Sequence, residues 1–156
     1  MRRSDKEIKD PSEIEGLLRE APIGRLGTCC DGEPYVVPLN FVYKEGKIIF
    51  HGAKLGKKIE NIMKNPKVCF EVDEGKVVLG ETPCRFTCRY RSVIAHGTAK
   101  IHTETTQVVE GLRLLASKYA RKDMGNQITE DMLAEFENLA VVEITVDKAT
   151  GKKNPS

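Results

Sequence analysis

Two tight-turn signals inside one stretch of alternating residues constrain this chain more than any other feature. Asp31-Gly32 separates the β-patterned runs 23–30 and 34–43, and Lys44-Glu45-Gly46 turns the second run into 47–51. An Asp-Gly pair supplies the left-handed backbone that a two-residue hairpin requires. Residues 23–51 therefore read as a three-stranded antiparallel meander. A parallel sheet needs a crossover of a dozen or more residues between strands, and this stretch has none.

The hydrophobic period changes on either side of the meander. Asp10-Pro11-Ser12-Glu13 offers an N-cap, a proline at the first helical position and a capping-box acid, and Ile14, Leu17 and Leu18 fall on one face of a helix ending near Ala21-Pro22. Residues 55–65 carry Ile59, Ile62 and Met63 at helical spacing, stopped by Asn65-Pro66. Residues 67–72 read as a strand followed by a turn at Glu74-Gly75, and 76–88 remain ambiguous. Residues 89–102 form a long strand and 103–120 a helix with Val108, Leu112, Leu115 and Tyr119 on one stripe. Thr129 caps a short helix through Met132, Leu133 and Phe136, and 140–146 is the last strand, leaving a polar tail over 148–156 whose last residues are expected to be mobile. The tally is about six strands and three or four helices, mostly β, which suggests a small closed or half-closed antiparallel barrel with peripheral helices.

At 156 residues the chain is expected to form a single domain spanning 1–156. No apolar run is long enough to span a bilayer, and the charged N-terminus lacks the apolar core of a signal peptide, so a cytoplasmic location is expected. The five cysteines read as reduced thiols, with Cys69 in the core. Cys84 and Cys88 with His96 and His102 are a poor zinc set, because two histidines six residues apart on one strand lie roughly 20 Å apart at about 3.3 Å per residue. The net charge of +2 conceals an uneven distribution. Residues 54–67 hold five lysines against Glu60, and 85–100 hold four bases and no acid, so two basic segments are expected to converge on one anion.

The chemistry concentrates in three segments. His51-Gly52-Ala53-Lys54-Leu55-Gly56-Lys57-Lys58 sits where a strand gives way to a helix. Its glycines allow close backbone approach, and the helix N-terminus with Lys57 and Lys58 suits a phosphate. It is not a Walker A loop, whose glycine spacing and Ser or Thr it lacks. In Tyr35-Val36-Val37-Pro38-Leu39-Asn40-Phe41, Pro38 cannot donate to a ladder, so this strand is at an edge or bulged, with backbone groups free for a planar heterocycle. Arg89-Tyr90-Arg91-Ser92-Val93 adds two guanidinium groups and a hydroxyl. Each segment also has an ordinary reading, as a solvated lysine face, an edge strand and a charged strand face.

In this order the segments resemble the flavin-binding split-barrel superfamily of pyridoxamine 5′-phosphate oxidase, on the branch related to nitroimidazole-resistance proteins (nitroimidazole reductases). The resemblance extends through Asn65-Pro66-Lys67-Val68-Cys69-Phe70, Arg89 to Ile94 with Gly97, and Thr150-Gly151-Lys152. It implies a six-stranded antiparallel split β-barrel, a homodimer, and FMN in a cleft at the dimer interface. By the same resemblance Val37, Pro38, Leu39 and Asn40 run along the isoalloxazine edge. His51 and Gly52 lie beside the ring and ribityl chain, Lys57 and Lys58 bind the phosphate, and Ser92 contacts the flavin. His51 either handles a proton for a reductase or packs on the flavin. The B6 oxidases carry a C-terminal segment with Trp and Arg, whereas this sequence has no Trp, which argues against vitamin B6 oxidation.

The expectation is an FMN-dependent oxidoreductase that passes electrons to a small electron-poor acceptor such as a nitroaromatic. It would use no metal, nucleic acid or membrane. The rivals are a flavin store or sensor, a haem- or deazaflavin-binding relative on the same barrel, and a barrel binding single-stranded nucleic acid. Aromatics at 6%, not interleaved with bases, disfavour the last.

Overall fold

The computed structural model describes residues 3–82, 85–121, 124–133 and 138–154. In chain order the elements are β1 (Glu7–Ile8), α1 (Pro11–Glu20), β2 (Gly24–Cys30), β3 (Glu33–Leu39), β4 (Val42–Lys44) and β5 (Lys47–Ala53). They continue with α2 (Lys57–Lys64), β6 (Lys67–Val78), β7 (Thr87–His102), α3 (Thr105–Tyr119), α4 (Glu130–Leu133) and β8 (Leu139–Asn154). All strand pairings are antiparallel, in the order β3-β2-β6-β7-β8-β5-β4, with β1 added to the far half of β8. The sheet thus has eight strands where about six were expected.

One extra strand is β1, ahead of α1, and another arises where the expected meander breaks. Residues 34–43 are not one strand: β3 ends at Leu39 and β4 begins at Val42, and they lie at opposite ends of the sheet path. Three Cα–Cα steps span at most about 11 Å, so the two ends of the sheet are brought close together. The sheet must curl round, yet no ladder joins β3 to β4 among the described residues, and the barrel stays split along that seam.

The joint is built on Phe41, which is fully buried. The Tyr119 hydroxyl accepts the Phe41 N–H at 3.0 Å and lies 2.7 Å from the Phe41 carbonyl and 2.8 Å from that of Pro22, donating its one proton to either. The Phe41 ring meets Phe70 edge-on with centroids 4.8 Å apart. Lys118 Nζ lies 4.1 Å from the Phe41 ring centroid and donates to the Ala21 carbonyl at 2.7 Å. One side chain pair at the end of α3 therefore ties the chain leaving α1 to the β3–β4 joint.

Alternation fills the barrel. Leu26, Ile48, Phe50, Phe70, Val72, Val93, Val142 and Ile144 point inward and form the main core. α1 closes one end with Leu17 and Leu18, its N-terminus capped by Asp10, which accepts the Ser12 N–H at 2.9 Å. α2 contributes Ile59 and Ile62, while Met63, expected on the same face, is exposed. α3 covers the outer face of β5 and β8 through Val108, Ile49 and Val141, which explains why 48–50 and 140–142 are buried without alternation.

Three further expectations change. Glu74-Gly75 is not a turn, because β6 continues through it to Val78 against β7. A Cβ on Gly75 would meet the Arg89 carbonyl oxygen at 2.8 Å and Tyr90 Cβ at 3.0 Å, so this glycine marks a close strand approach. The expected polar tail from about residue 148 is instead the second half of β8, paired with β7 and with β1 as far as Asn154. It is held by an ion pair from Lys153 to Glu13 at 2.7 Å and by Asn154 donating to the Cys88 carbonyl at 2.6 Å. Cys69 faces outward between Gly27 and His96 and is half-buried, because Val68 and Phe70 take the inward positions. Cys84 and Phe136 lie outside the described residues. No helix among the described residues is long and apolar enough to cross a membrane.

Two expected outcomes follow from the joint. Tyr119→Phe leaves the Phe41 N–H without an acceptor and should destabilise the fold by about 1–3 kcal/mol in urea unfolding. Burial lowers Lys118 to about 8 from 10.5, so between those values the unfolded chain binds more protons and stability should rise with pH. Lys118→Met should flatten that rise, read from denaturation midpoints across the window.

Candidate functional site

The split in the barrel leaves two strand edges unpaired. Among the described residues β3 pairs only with β2, so its other edge, along Val37, Pro38 and Leu39, is open there. The register through Pro38 is continuous against Arg25, which settles the earlier alternative: Pro38 sits on an edge strand without a bulge. On the other side of the seam, β4 covers β5 only as far as Ile49. The β5 edge at His51, Gly52 and Ala53 is therefore open as well. β5 runs back past β4 toward β3, and an ion pair between Lys57 Nζ and Glu33 Oε2 at 3.5 Å joins the end of this segment to the start of β3.

α2 begins immediately beyond the β5 edge. Gly56, at φ 124°, takes a backbone conformation that other residues rarely adopt and carries no capping side chain. Its carbonyl accepts the N–H groups of Ile59 and Glu60 at 2.9 and 3.0 Å. The N–H groups of Lys57 and Lys58 have no backbone acceptor among the described residues, so two donors and the positive end of the helix face outward. A Cβ on Gly52 would lie 3.2 Å from Lys58 Nζ, so this ammonium rests directly over the bare glycine. The helix is fixed from below by Ile59, Ile62 and the buried Asn61, whose amide donates to Thr28 Oγ1 at 2.9 Å. The cradle has glycine, free amides and two ammonium groups, and it fits a phosphate. The exposed Lys57–Glu33 pair is a weak competitor for an incoming anion.

The His51 ring makes no hydrogen bond to the described residues. Desolvation lowers its pKa below the ordinary histidine value, and the Lys58 ammonium adds to the effect, so the neutral ring is favoured. A neutral imidazole beside an open edge can accept a proton or pass one on.

The structure therefore brings Val37, Pro38, Leu39 and Asn40 to one side of the seam, and His51, Gly52, Lys57 and Lys58 to the other. It does not bring Ser92 there. Ser92 pairs with Lys152, while His51 is level with Val141, the partner of His102. The stretch of β7 from Ser92 to His102 is roughly 30 Å long at about 3.3 Å per residue. Arg89 and Arg91 lie farther still, so within one chain these two guanidinium groups do not join Lys57 and Lys58 on one anion. Sequence reasoning missed Glu33 and Asn61, whose roles depend on neighbours across the fold. Among the described residues, no three His, Cys, Asp or Glu side chains are grouped to hold a metal.

Comparison with known proteins agrees with this architecture. The chain is 26% identical to a candidate 5-nitroimidazole antibiotic resistance protein from Bacteroides thetaiotaomicron, with a TM-score of 0.78 over 94% of this chain and 85% of that one. A flavocytochrome from Azotobacter vinelandii, 20% identical, superposes with a TM-score of 0.84 over 100% of this chain and 72% of its own, and shares the fold. A 5a,11a-dehydrotetracycline/5a,11a-dehydrooxytetracycline reductase from Streptomyces rimosus is 39% identical over 88 residues, 53% of this chain and 57% of that protein. The chain spans about half the length of the curated relatives it matches. The family model of pyridoxamine 5′-phosphate oxidase matches residues 10–153, nearly the whole sequence and every strand from β2 to β7, and on that match the chain belongs to the pyridoxamine 5′-phosphate oxidase family.

Proposed function

We propose that this protein is an FMN-dependent oxidoreductase whose flavin lies along the split of the barrel. The observation that carries the reading is the α2 N-terminus, where free amides and the Lys58 ammonium over Gly52 meet at the end of an open strand edge, with Lys57 on the same first turn held against Glu33. A phosphate there would leave the rest of a flavin mononucleotide extending along the seam between the two edges. The similar reductase from Streptomyces rimosus supports a reductive activity. A small nitroaromatic acceptor is part of the proposal, in keeping with the description of the similar Bacteroides thetaiotaomicron protein as a candidate 5-nitroimidazole antibiotic resistance protein.

Each part has a stated task. Lys57 and Lys58 neutralise the phosphate, and the α2 amides orient it. The open backbone edge at Val36, Pro38 and Asn40 offers donors and acceptors to the polar rim of the ring system, where Pro38 withholds a donor, while Val37 and Leu39 turn their N–H and C=O to β2. His51, neutral beside the seam, holds the position from which a proton reaches a reduced acceptor. When bound, FMN supplies the hydride or electron chemistry; the protein supplies anchoring and access. Ser92 enters this scheme from a second copy of the chain, because it lies too far along β7 to reach the same seam. A homodimer with FMN between the subunits is therefore part of the proposal.

Titration with FMN, followed by flavin absorbance and fluorescence quenching, tests the reading; a protein that takes up no FMN discards it. Lys57→Ala with Lys58→Ala should weaken FMN binding by about a hundredfold, two charge-assisted contacts being lost. For His51, the folded-state pKa is lowered, so as pH falls below about 6.5 the unfolded chain takes up the proton first and stability falls. His51→Gln should reduce that acid loss. If turnover also survives in the FMN-loaded variant, His51 is not the proton donor.

A further inference from the structure

The end of the sheet opposite the seam carries a charge pattern that the proposed flavin site does not use. Beyond Asp73, β6 has no partner except β7, and residues 74–78 with 87–91 form a two-stranded ribbon joined to β8 only at its base. In this ribbon Lys76 stands directly opposite Arg89. At its base Arg91 stands directly opposite Lys153. Like charges directly opposed in an antiparallel pair destabilise it.

Elsewhere such oppositions are relieved. Lys47, opposite Lys44, is met by Glu143 at 3.0 Å. Arg91 is met by Glu74 at 2.6 Å and Lys153 by Glu13 at 2.7 Å. The side chains of Lys76 and Arg89 have no hydrogen bond or ion pair among the described residues, and both are exposed. They line a groove of about 400 Å³ with Arg91, Lys153, Tyr90 and Asn154 and with the Glu74 carboxylate, which an incoming anion would have to displace from Arg91. Its floor at Gly75 has no room for a side chain.

We propose that this groove is a second anion site, separate from the α2 cradle, which takes a diphosphate-bearing small molecule. Arg89 and Arg91 share one strand face two residues apart, roughly 6.6 Å, a spacing suited to the two ends of a diphosphate. Lys76 supplies a further ammonium on the same face, opposite Arg89. The bound anion supplies the negative charge that Lys76 and Arg89 lack. Dinucleotide electron donors carry such a diphosphate, so the site would serve the donor side of an oxidoreductase, although the binding itself does not depend on the flavin reading.

Isothermal titration of the full chain with inorganic phosphate, inorganic pyrophosphate and NADH, each with and without FMN, tests this. Pyrophosphate is expected to bind about tenfold or more tighter than phosphate, and Lys76→Gln with Arg89→Gln to weaken it by about tenfold or more while FMN uptake is unchanged. NADH binding that is lost in the same variant identifies a dinucleotide as the occupant; NADH that does not bind leaves a free diphosphate. Pyrophosphate binding unaffected by the double change overturns the proposal. So does its loss together with FMN in the Lys57→Ala, Lys58→Ala variant, because one site would then serve both. A protein that binds pyrophosphate through Lys76 and Arg89 but takes up no FMN overturns only the flavin reading.

Discussion

The whole architecture depends on a link of two residues, Asn40 and Phe41, between strands at opposite ends of the sheet. So short a link allows only a curled sheet. It also leaves the Phe41 peptide groups in the interior, away from any ladder. A buried peptide without partners is costly, and Tyr119 removes that cost by meeting both the N–H and the C=O of one residue. The hydroxyl comes from α3, a helix far away in sequence, so barrel closure and helix docking are coupled. Phe70 and Lys118 pack against the same ring, one by its edge and the other with its charge.

The candidate site follows from that closure. A sheet that curls without a final ladder keeps two bare strand edges facing each other across the seam. β5 emerges at one of them and runs directly into α2, whose inward face is fixed by the barrel core and whose N-terminus is consequently fixed too. The positive end of the helix does not need a loop to aim it. The same geometry explains why Ser92, Arg89 and Arg91 cannot join the site within one chain: the long strand β7 carries them to the other end.

Local signals in the sequence were faithful wherever the outcome was decided locally. Asp31-Gly32 makes its hairpin, with both residues at positive φ, and Asp10-Pro11 starts its helix. The fold family and the basic helix N-terminus were also legible. The residues that misled were decided by distant neighbours. Pro34 to Tyr43 reads as one apolar run, and only the Tyr119 hydroxyl, far along the chain, shows why it breaks at Phe41. Glu74-Gly75 has the composition of a turn, but the glycine is there because β7 approaches it closely. The polar residues after Lys148 look like a solvated tail because their partners, Glu7, Ile8 and Glu13, are at the other end of the sequence. Glu33 became part of the site only through the seam, which no spacing along the chain encodes.

The placement of β8 has a consequence for how the molecule is made. This strand pairs with β7 along nearly its whole length, with β5 on its first half and with β1 on its second. It is a middle strand of the sheet, yet it follows every other described element in the order of synthesis. Until it leaves the ribosome, β5 with β4 and β7 with β6 and β2 are two separate sheets, each with a bare edge. The nascent chain must keep those edges from pairing wrongly while it waits for its centre. Folding is therefore dominated by long-range pairing that waits for this strand, which places the barrel toward the slow end for its size.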